Sequence, residues 1–133
     1  MSSKYSVTFD DYTERHFIKN FRKKYSDRAW QFTETAIRAI CANFEETVQL
    51  DQCDIICHLE NFRLCKLDFS LAGTEKSPKA SGNRCILVAD VGKQTVHVLL
   101  IYHKSDIVKS GNETVAWKQI ILSEFRQYKN LIT

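Results

Sequence analysis

The chain is predicted to fold as an α+β protein, because helical and strand patterns fall in separate parts of the sequence. Two helical segments come first, between residues 10 and 44, with apolar side chains at three- and four-residue spacing. Strand-like segments follow between residues 54 and 102, and a last helical segment begins near residue 113. This segregation favours helices packed on an antiparallel sheet.

The N-terminal third is predicted to form a short strand followed by a helical hairpin. Residues 5–9 alternate and are rich in aromatic and β-branched side chains, which is typical of a strand. The first helix runs to about Lys24 and the second to about Phe44, and the few residues between them predict an antiparallel pair. The candidate N-caps are Asp10 or Asp11 for the first helix, and Ser26 or Asp27 for the second.

The middle of the chain is predicted to form the sheet. Residues 84–91 and 95–102 are separated by a tight turn, which favours an antiparallel hairpin. Residues 62–71 alternate, 54–59 are a further candidate strand, and the polar residues 72–82 are expected to be a flexible loop. Alternation in 62–71 places Leu67, Phe69 and Leu71 on one face, and Lys66, Asp68 and Ser70 on the other.

The C-terminal segment, residues 112–133, is predicted to be a helix that completes one domain spanning residues 1–133. Asn112 is the expected N-cap, and the helix runs from about Glu113 to Tyr128. Aromatic residues on the helical stripes are expected to pack in the core rather than stack on bases. They are Trp30, Phe44, Trp117 and Phe125.

Composition indicates an ordinary globular chain. It has 133 residues, 44% of them hydrophobic, and a formal net charge of +3, which permits an anionic partner without requiring one. No apolar stretch is long enough for a membrane span, and the first 16 residues lack the apolar region of a signal peptide. We therefore expect a cytoplasmic protein with no membrane partner, whose five cysteines are free thiols.

Basic residues cluster on the faces and ends of the predicted strands. Lys66 lies on the polar face of its strand, Arg84 opens the next strand, and His103 and Lys104 follow the last. In an antiparallel sheet Arg84 and His103 fall near the same end. Such a cationic surface could bind a phosphodiester, with Arg84 as a bidentate clamp. The alternative is a solvated sheet face that carries ordinary surface lysines.

Two other kinds of site are less well supported by spacing. Cys53, Cys57 and His58 are soft metal ligands, but zinc needs four ligands, and on a regular strand the two thiols would share one face while His58 points away. Cys85 with His103 could form a nucleophilic pair, although alternation turns Cys85 toward the core if Arg84 faces solvent. We predict no metal site and no cofactor, and no glycine-rich phosphate loop is present.

The segment "GNRCILVADVGKQTVHVLLIYHKSDI", together with the order of elements, resembles the RelE/ParE superfamily of bacterial toxins. Asn83-Arg84-Cys85-Ile86-Leu87-Val88-Ala89 resembles the family's central strand, which an arginine opens, and Val98-Leu99-Leu100-Ile101-Tyr102-His103-Lys104 resembles the strand that follows it. The resemblance covers most of residues 5–108. The chain departs from the family pattern at Asp68, where a second lysine is expected.

The resemblance implies a toxin of a toxin–antitoxin pair that cleaves mRNA on the ribosome. In such an endoribonuclease the ribose 2′-OH attacks the adjacent phosphate and leaves a 2′,3′-cyclic phosphate and a 5′-hydroxyl, without a metal ion. The reaction requires a base for the 2′ proton, an acid for the leaving oxygen, and cations for the phosphorane. The implied partners are the ribosome-bound mRNA and a cognate antitoxin protein.

Site residues follow from the resemblance position by position. Arg84 matches the phosphate-binding arginine, Lys66 matches a basic residue that contacts RNA or acts on the 2′-OH, and Lys104 or His103 matches the next basic position. His103 suits acid–base work, since imidazoles titrate near neutral pH. The expected RNA contacts are Lys76, Lys79 and Tyr102, and the C-terminal tyrosine that some members use corresponds to Tyr102 or Tyr128.

Two alternatives keep the same fold without the nuclease. One is a gyrase-inhibiting toxin of the ParE type, and the other is a non-catalytic module that binds a protein through the basic sheet or the helical hairpin.

Overall fold

The computed structural model describes residues 4–108 and 111–132. The strands are β1 (Ser6–Phe9), β2 (Cys53–Leu59), β3 (Phe62–Asp68), β4 (Asn83–Asp90) and β5 (Thr95–His103). Helix α1 consists of three consecutive parts, Asp11–Thr13, a π-helical stretch Glu14–Ile18, and Lys19–Lys24. The other helices are α2 (Asp27–Ala42), α3 (Phe44–Thr47), α4 (Pro78–Ser81), α5 (Lys104–Ile107) and α6 (Glu113–Glu124). A 3-10 helix follows at Arg126–Leu131.

The five strands form one mixed sheet in the order β1-β5-β4-β3-β2. The predicted α+β class is confirmed, and the pairs β2–β3, β3–β4 and β4–β5 are antiparallel. The purely antiparallel sheet is corrected at one edge, because β1 joins β5 in parallel, with Ser6 opposite Thr95 and Phe9 opposite Val98. The helical hairpin follows β1 directly, so the strand that pairs with β1 comes from much later in the sequence.

Each face of the sheet has its own hydrophobic core. The face covered by α1 and α2, here called the hairpin face, includes Leu67, Cys85 and Ile101 packed with Trp30 and Ile37. The opposite face, here called the C-terminal face, is covered by α6 and the 3-10 helix. Its core includes Leu64, Ile86, Leu100, Tyr102, Trp117, Ile121 and Phe125.

The predicted core aromatics and helix caps are confirmed. Trp30, Phe44, Trp117 and Phe125 are all buried. Side-chain oxygens accept backbone N–H groups at the helix starts, as capping requires. The cap contacts are Asp10 to Tyr12, Ser26 to Ala29, and Asn112 to Thr114.

Three predicted boundaries need correction. Strand β3 ends at Asp68, although Phe69 and Leu71 remain buried on the hairpin face as alternation predicted. Helix α6 ends at Glu124 rather than Tyr128, and the 3-10 helix follows. The predicted loop 72–82 contains the short helix α4, because Ser77 caps it and the proline at its start fits the first helical turn.

Across residues 4–108 and 111–132, no helix combines the length and apolarity needed to cross a membrane.

Candidate functional site

An open cleft lies where β4 begins and β5 ends, on the hairpin face of the sheet. Its volume is about 440 Å³. The walls come from the end of α1, the loop after β3, the end of α4 and the two strands. The cleft, here called the His103 cleft, is lined by Lys24, Tyr25, Thr74, Glu75, Lys76, Ser81, Asn83 and His103.

His103 is held in this cleft by contacts of its ring with Ser105 and with the backbone of Ser81. It is the last residue of β5 and pairs with Asn83. Its Nδ1 accepts the Ser105 backbone N–H at 3.1 Å, which caps α5, and the Ser105 Oγ lies 2.7 Å from the same nitrogen. Because Nδ1 is an acceptor, a neutral ring carries its proton on Nε2. The ring also contacts the backbone of Ser81.

The surroundings favour the neutral form of the imidazole. Burial lowers the pKa of His103 below its usual value, and the positive charges of Lys24 and Lys104 lower it further, while Asp106 and the backbone contact with Ser81 act in the opposite direction. A histidine with a lowered pKa is neutral at pH 7 and can accept a proton there.

Two lysines line the cleft together with the imidazole. Lys24 ends α1, with its Nζ 5.7 Å from the centre of the Tyr25 ring, and Lys76 lies in the loop between β3 and α4. Glu75 is the carboxylate among the lining residues. A neutral base beside two cations can hold an anionic group and take a proton from a hydroxyl next to it.

Gly82 allows the imidazole to sit where it does. Gly82 has φ +79°, and a Cβ there would lie 2.7 Å from His103 Nε2, whereas Gly73 has φ +88° with open space around it.

We expect Gly73→Ala to lower the free energy of unfolding by about 1–2 kcal/mol, the cost of a left-handed non-glycine residue. Gly82→Ala should cost about 1–3 kcal/mol more, because the ring must move.

Urea denaturation of the two alanine variants measures this difference. Equal losses for Gly82→Ala and Gly73→Ala would show that the His103 ring does not depend on the missing side chain at residue 82.

Arg84 lies at the same end of the sheet as His103 but on the opposite face. His103 pairs with Asn83 and Arg84 pairs with Tyr102, one position along, so the side chains project to opposite sides. The Arg84 Nε lies 3.1 Å from Asp68 Oδ1 and 3.8 Å from Glu113 Oε2. Its guanidinium also donates to backbone carbonyls of Asn83 and Lys79. The predicted phosphate clamp is therefore engaged by carboxylates beneath α6.

Tyr102 and Lys66 also belong to the C-terminal face. Tyr102 is fully buried, and its hydroxyl donates to Glu113 Oε2 at 2.8 Å. The expected RNA contact at Tyr102 is thus corrected, since its side chain lies in a core rather than on a surface. Lys66 pairs with Ile86 and is half-buried on this same face, beside the buried Asp68.

The remaining predicted site residues lie in different places. Lys76 lines the His103 cleft, but Lys79 lies elsewhere, with its Nζ 3.1 Å from Asp51 Oδ2. Lys104 is exposed as the first residue of α5 and acts on His103 through its charge. The structure brings His103 and Lys76 together in one cleft, leaves Arg84 and Lys66 on the opposite face of the sheet, and exposes Lys104 just after β5.

Sequence reasoning missed the contribution of the helical hairpin to this cleft. The apolar spacing of the first helix predicts that Tyr25 faces the core and that Lys24 lies on the solvent face. The available signal was the basic run of residues 22–24 at the C-terminus of α1, next to the turn into α2. Ser77-Pro78 also signalled a helix start that brings Ser81 and Gly82 to the cleft.

The thiols are arranged differently from the prediction. A β-bulge between Ile55 and Cys57 shifts the register of β2, so Cys53 packs in the hairpin-face core while Cys57 packs against the other core. Cys53 and Cys57 therefore do not share a face. Cys85 is buried in the hairpin-face core, where a contact with Cys41 and burial raise its pKa. Such a thiol is a poor nucleophile.

Within residues 4–108 and 111–132, no three His, Cys, Asp or Glu side chains gather as a metal site would require. Comparison of the chain with known proteins found no matching family model, no matching curated protein and no matching solved structure.

Proposed function

We propose that this chain is a RelE-like endoribonuclease toxin that binds the scissile phosphodiester of ribosome-bound mRNA in the His103 cleft. The observation that carries this proposal is the His103 imidazole, whose pKa is lowered, in a cleft that Lys24 and Lys76 also line. The sequence resemblance and the order strand, helical hairpin, antiparallel strands and C-terminal helix support the family assignment. A cognate antitoxin is the expected partner.

The cleft supplies the groups that the reaction needs. The neutral imidazole of His103 accepts the proton of the ribose 2′-OH. The 2′ oxygen then forms a bond to phosphorus, and the P–O5′ bond breaks. Lys24 and Lys76 stabilise the charge of the phosphorane, and the Tyr25 phenol or water protonates the leaving 5′-oxygen.

This proposal moves the chemistry away from the arginine that the family pattern highlights. Arg84 is paired with Asp68 and Glu113, so its charge stabilises the folded structure. Lys66 lies on that face as well. The two sides of the sheet therefore have separate roles, with the nucleic-acid site on the hairpin side.

Cleavage of mRNA in a translating extract tests the function. We expect the wild-type chain to cut ribosome-bound mRNA and to leave 2′,3′-cyclic phosphate and 5′-hydroxyl ends, because a neutral base next to a cation pair favours 2′-OH attack. End-specific labelling of the products identifies them. Intact mRNA, or ends with a 5′-phosphate, would contradict the proposal, and growth arrest with DNA damage and intact mRNA would favour a gyrase inhibitor.

A further inference from the structure

Three side chains form a hydrogen-bonded chain near the other end of β5, on the C-terminal face. His97 Nε2 lies 2.9 Å from Asp10 Oδ2, and His97 Nδ1 lies 2.9 Å from the Tyr128 hydroxyl. Asp10 follows β1 and Tyr128 belongs to the 3-10 helix, so three distant parts of the chain meet here. None of these residues takes part in the His103 cleft.

The direction of the protons follows from the partners. A carboxylate only accepts, so Nε2 of His97 carries the hydrogen that Asp10 receives. A neutral ring then has its lone pair on Nδ1, and the phenol of Tyr128 must donate to it. A hydroxyl that donates to an imidazole, which in turn donates to a carboxylate, is the arrangement that activates a hydroxyl nucleophile.

This chain of side chains borders a cleft of about 300 Å³. Phe62 and Val88 give it an apolar wall, while Lys93 and Gln127 add polar groups next to Tyr128. The volume suits a small molecule with an apolar acyl group, and the Lys93 ammonium is the cation available for a developing oxyanion.

We propose that Tyr128 is a nucleophile toward small acyl esters, with His97 as its base and Asp10 as the residue that positions His97. The phenol oxygen bonds to the acyl carbon and its proton passes to His97 Nδ1. The ester C–O bond then breaks, and His97 returns the proton to the departing alkoxide, so that an O-acyl-tyrosine and a free alcohol result. The proposal is independent of the ribonuclease site.

The surroundings make this reaction depend on His97. Burial raises the pKa of Tyr128, and the carboxylates of Asp10 and Asp90 raise it further. The free phenolate is therefore scarce at neutral pH, and proton transfer to His97 is the available route. A tyrosine that serves only to hold the 3-10 helix in place would keep the hydrogen bond without reacting.

Labelling with p-nitrophenyl acetate tests the proposal on the full chain at pH 7.5. We expect one acetyl group per chain, mapped to Tyr128 by mass spectrometry, with release of one p-nitrophenol. His97→Gln should slow this acetylation by about 10²-fold or more, the usual contribution of a general base. Asp10→Asn should slow it at least about tenfold while retaining the cap on Tyr12, because asparagine caps helices as well as aspartate does.

Tyr12 is the internal control, since burial raises its pKa as it raises that of Tyr128, but its hydroxyl has no histidine partner among the hydrogen bonds of residues 4–108 and 111–132. Acetylation of Tyr128 no faster than that of Tyr12, or unchanged in His97→Gln, would overturn the proposal.

The pH profile of the wild type decides the question even if a variant fails to fold. The titratable and charged groups around the His97 ring are Asp10, Tyr128, Asp90 and Lys93. With His97 as the base, the rate of Tyr128 acetylation should rise by much less than tenfold per pH unit between about pH 8 and pH 10, because the phenol passes its proton to His97 and does not have to ionise first. A rate that rises tenfold per pH unit toward pH 10, as expected for an ordinary phenol, would contradict the proposal.

Discussion

Replacing His103 with glutamine is expected to lower the rate of mRNA cleavage by about 10²–10⁴-fold, the range that a general base contributes. Glutamine keeps a polar side chain of similar length at the end of β5, so the cleft remains while the proton acceptor is lost. Initial rates in a translating extract, normalised to folded protein by circular dichroism, measure the effect.

The matched control is His58→Gln, which makes the same change at an exposed histidine of β2. We expect this variant to cleave at the wild-type rate. A similar loss in both variants would indicate a general effect of removing a histidine, and full activity in His103→Gln would exclude His103 as the base.

Replacing Arg84 with methionine is expected to lower the free energy of unfolding by about 3–5 kcal/mol, the usual cost of leaving a buried charge without its partner. The side chains of Arg84 and Asp68 are only 12% and 10% exposed, and Glu113 shares the guanidinium. Without Arg84, two carboxylates face each other under α6. Urea denaturation at pH 7 measures the loss, and a change below 1 kcal/mol would contradict this account of Arg84.

The pH dependence of the stability of Arg84→Met gives a second test, because the direction of the change with pH is predicted. Burial raises the pKa of Asp68 even in the wild type, and the Arg84 charge opposes that rise. In Arg84→Met the pKa of Asp68 rises further, so the folded state binds a proton that the unfolded state releases. The loss of unfolding free energy relative to the wild type is then largest above the folded-state pKa of Asp68. It shrinks as pH falls toward the ordinary carboxyl range. It should be smaller at pH 5 than at pH 7.

The double variant Arg84→Met/Asp68→Asn serves as the control, because it removes one of the two stranded carboxylates. It should be more stable than Arg84→Met alone at pH 7. A deficit that is the same at both pH values would show that lost packing, rather than stranded charge, explains the effect of the substitution.

The helices and their caps were predictable because both signals are local. Apolar spacing marked the buried face of α2 through Trp30 and Ile37, and a single side chain at each start, such as Ser26, satisfies the first N–H groups. The strands of the β4–β5 hairpin were predictable for the same reason, since their tight turn lies within the segment itself.

The faces of the strands were less predictable, because bulges change the alternation without a clear sequence signal. Leu99 lies in an irregular step of β5, which keeps Leu99 and Leu100 in the same core although they are adjacent. The bulge in β2 separates Cys53 from Cys57 in the same way. One extra residue in a strand reverses the face of every residue after it.

The candidate site was predictable in part. The polar end of β5 pointed to His103, and the basic loop pointed to Lys76. Lys24 was assigned to solvent because its place next to His103 depends on how the helical hairpin packs on the sheet. The role of Arg84 was obscured for a similar reason, since Glu113 reaches it from a helix distant in sequence.

Cleavage by His103→Gln and Lys66→Gln, compared side by side in one translating extract, tests the central claim most directly. Lys66 lies on the C-terminal face and His103 on the hairpin face, so each variant reports on one side of the sheet. The account predicts that His103→Gln loses about 10²-fold or more of the wild-type rate, while Lys66→Gln keeps it. Loss of cleavage in Lys66→Gln with activity retained in His103→Gln would contradict the account.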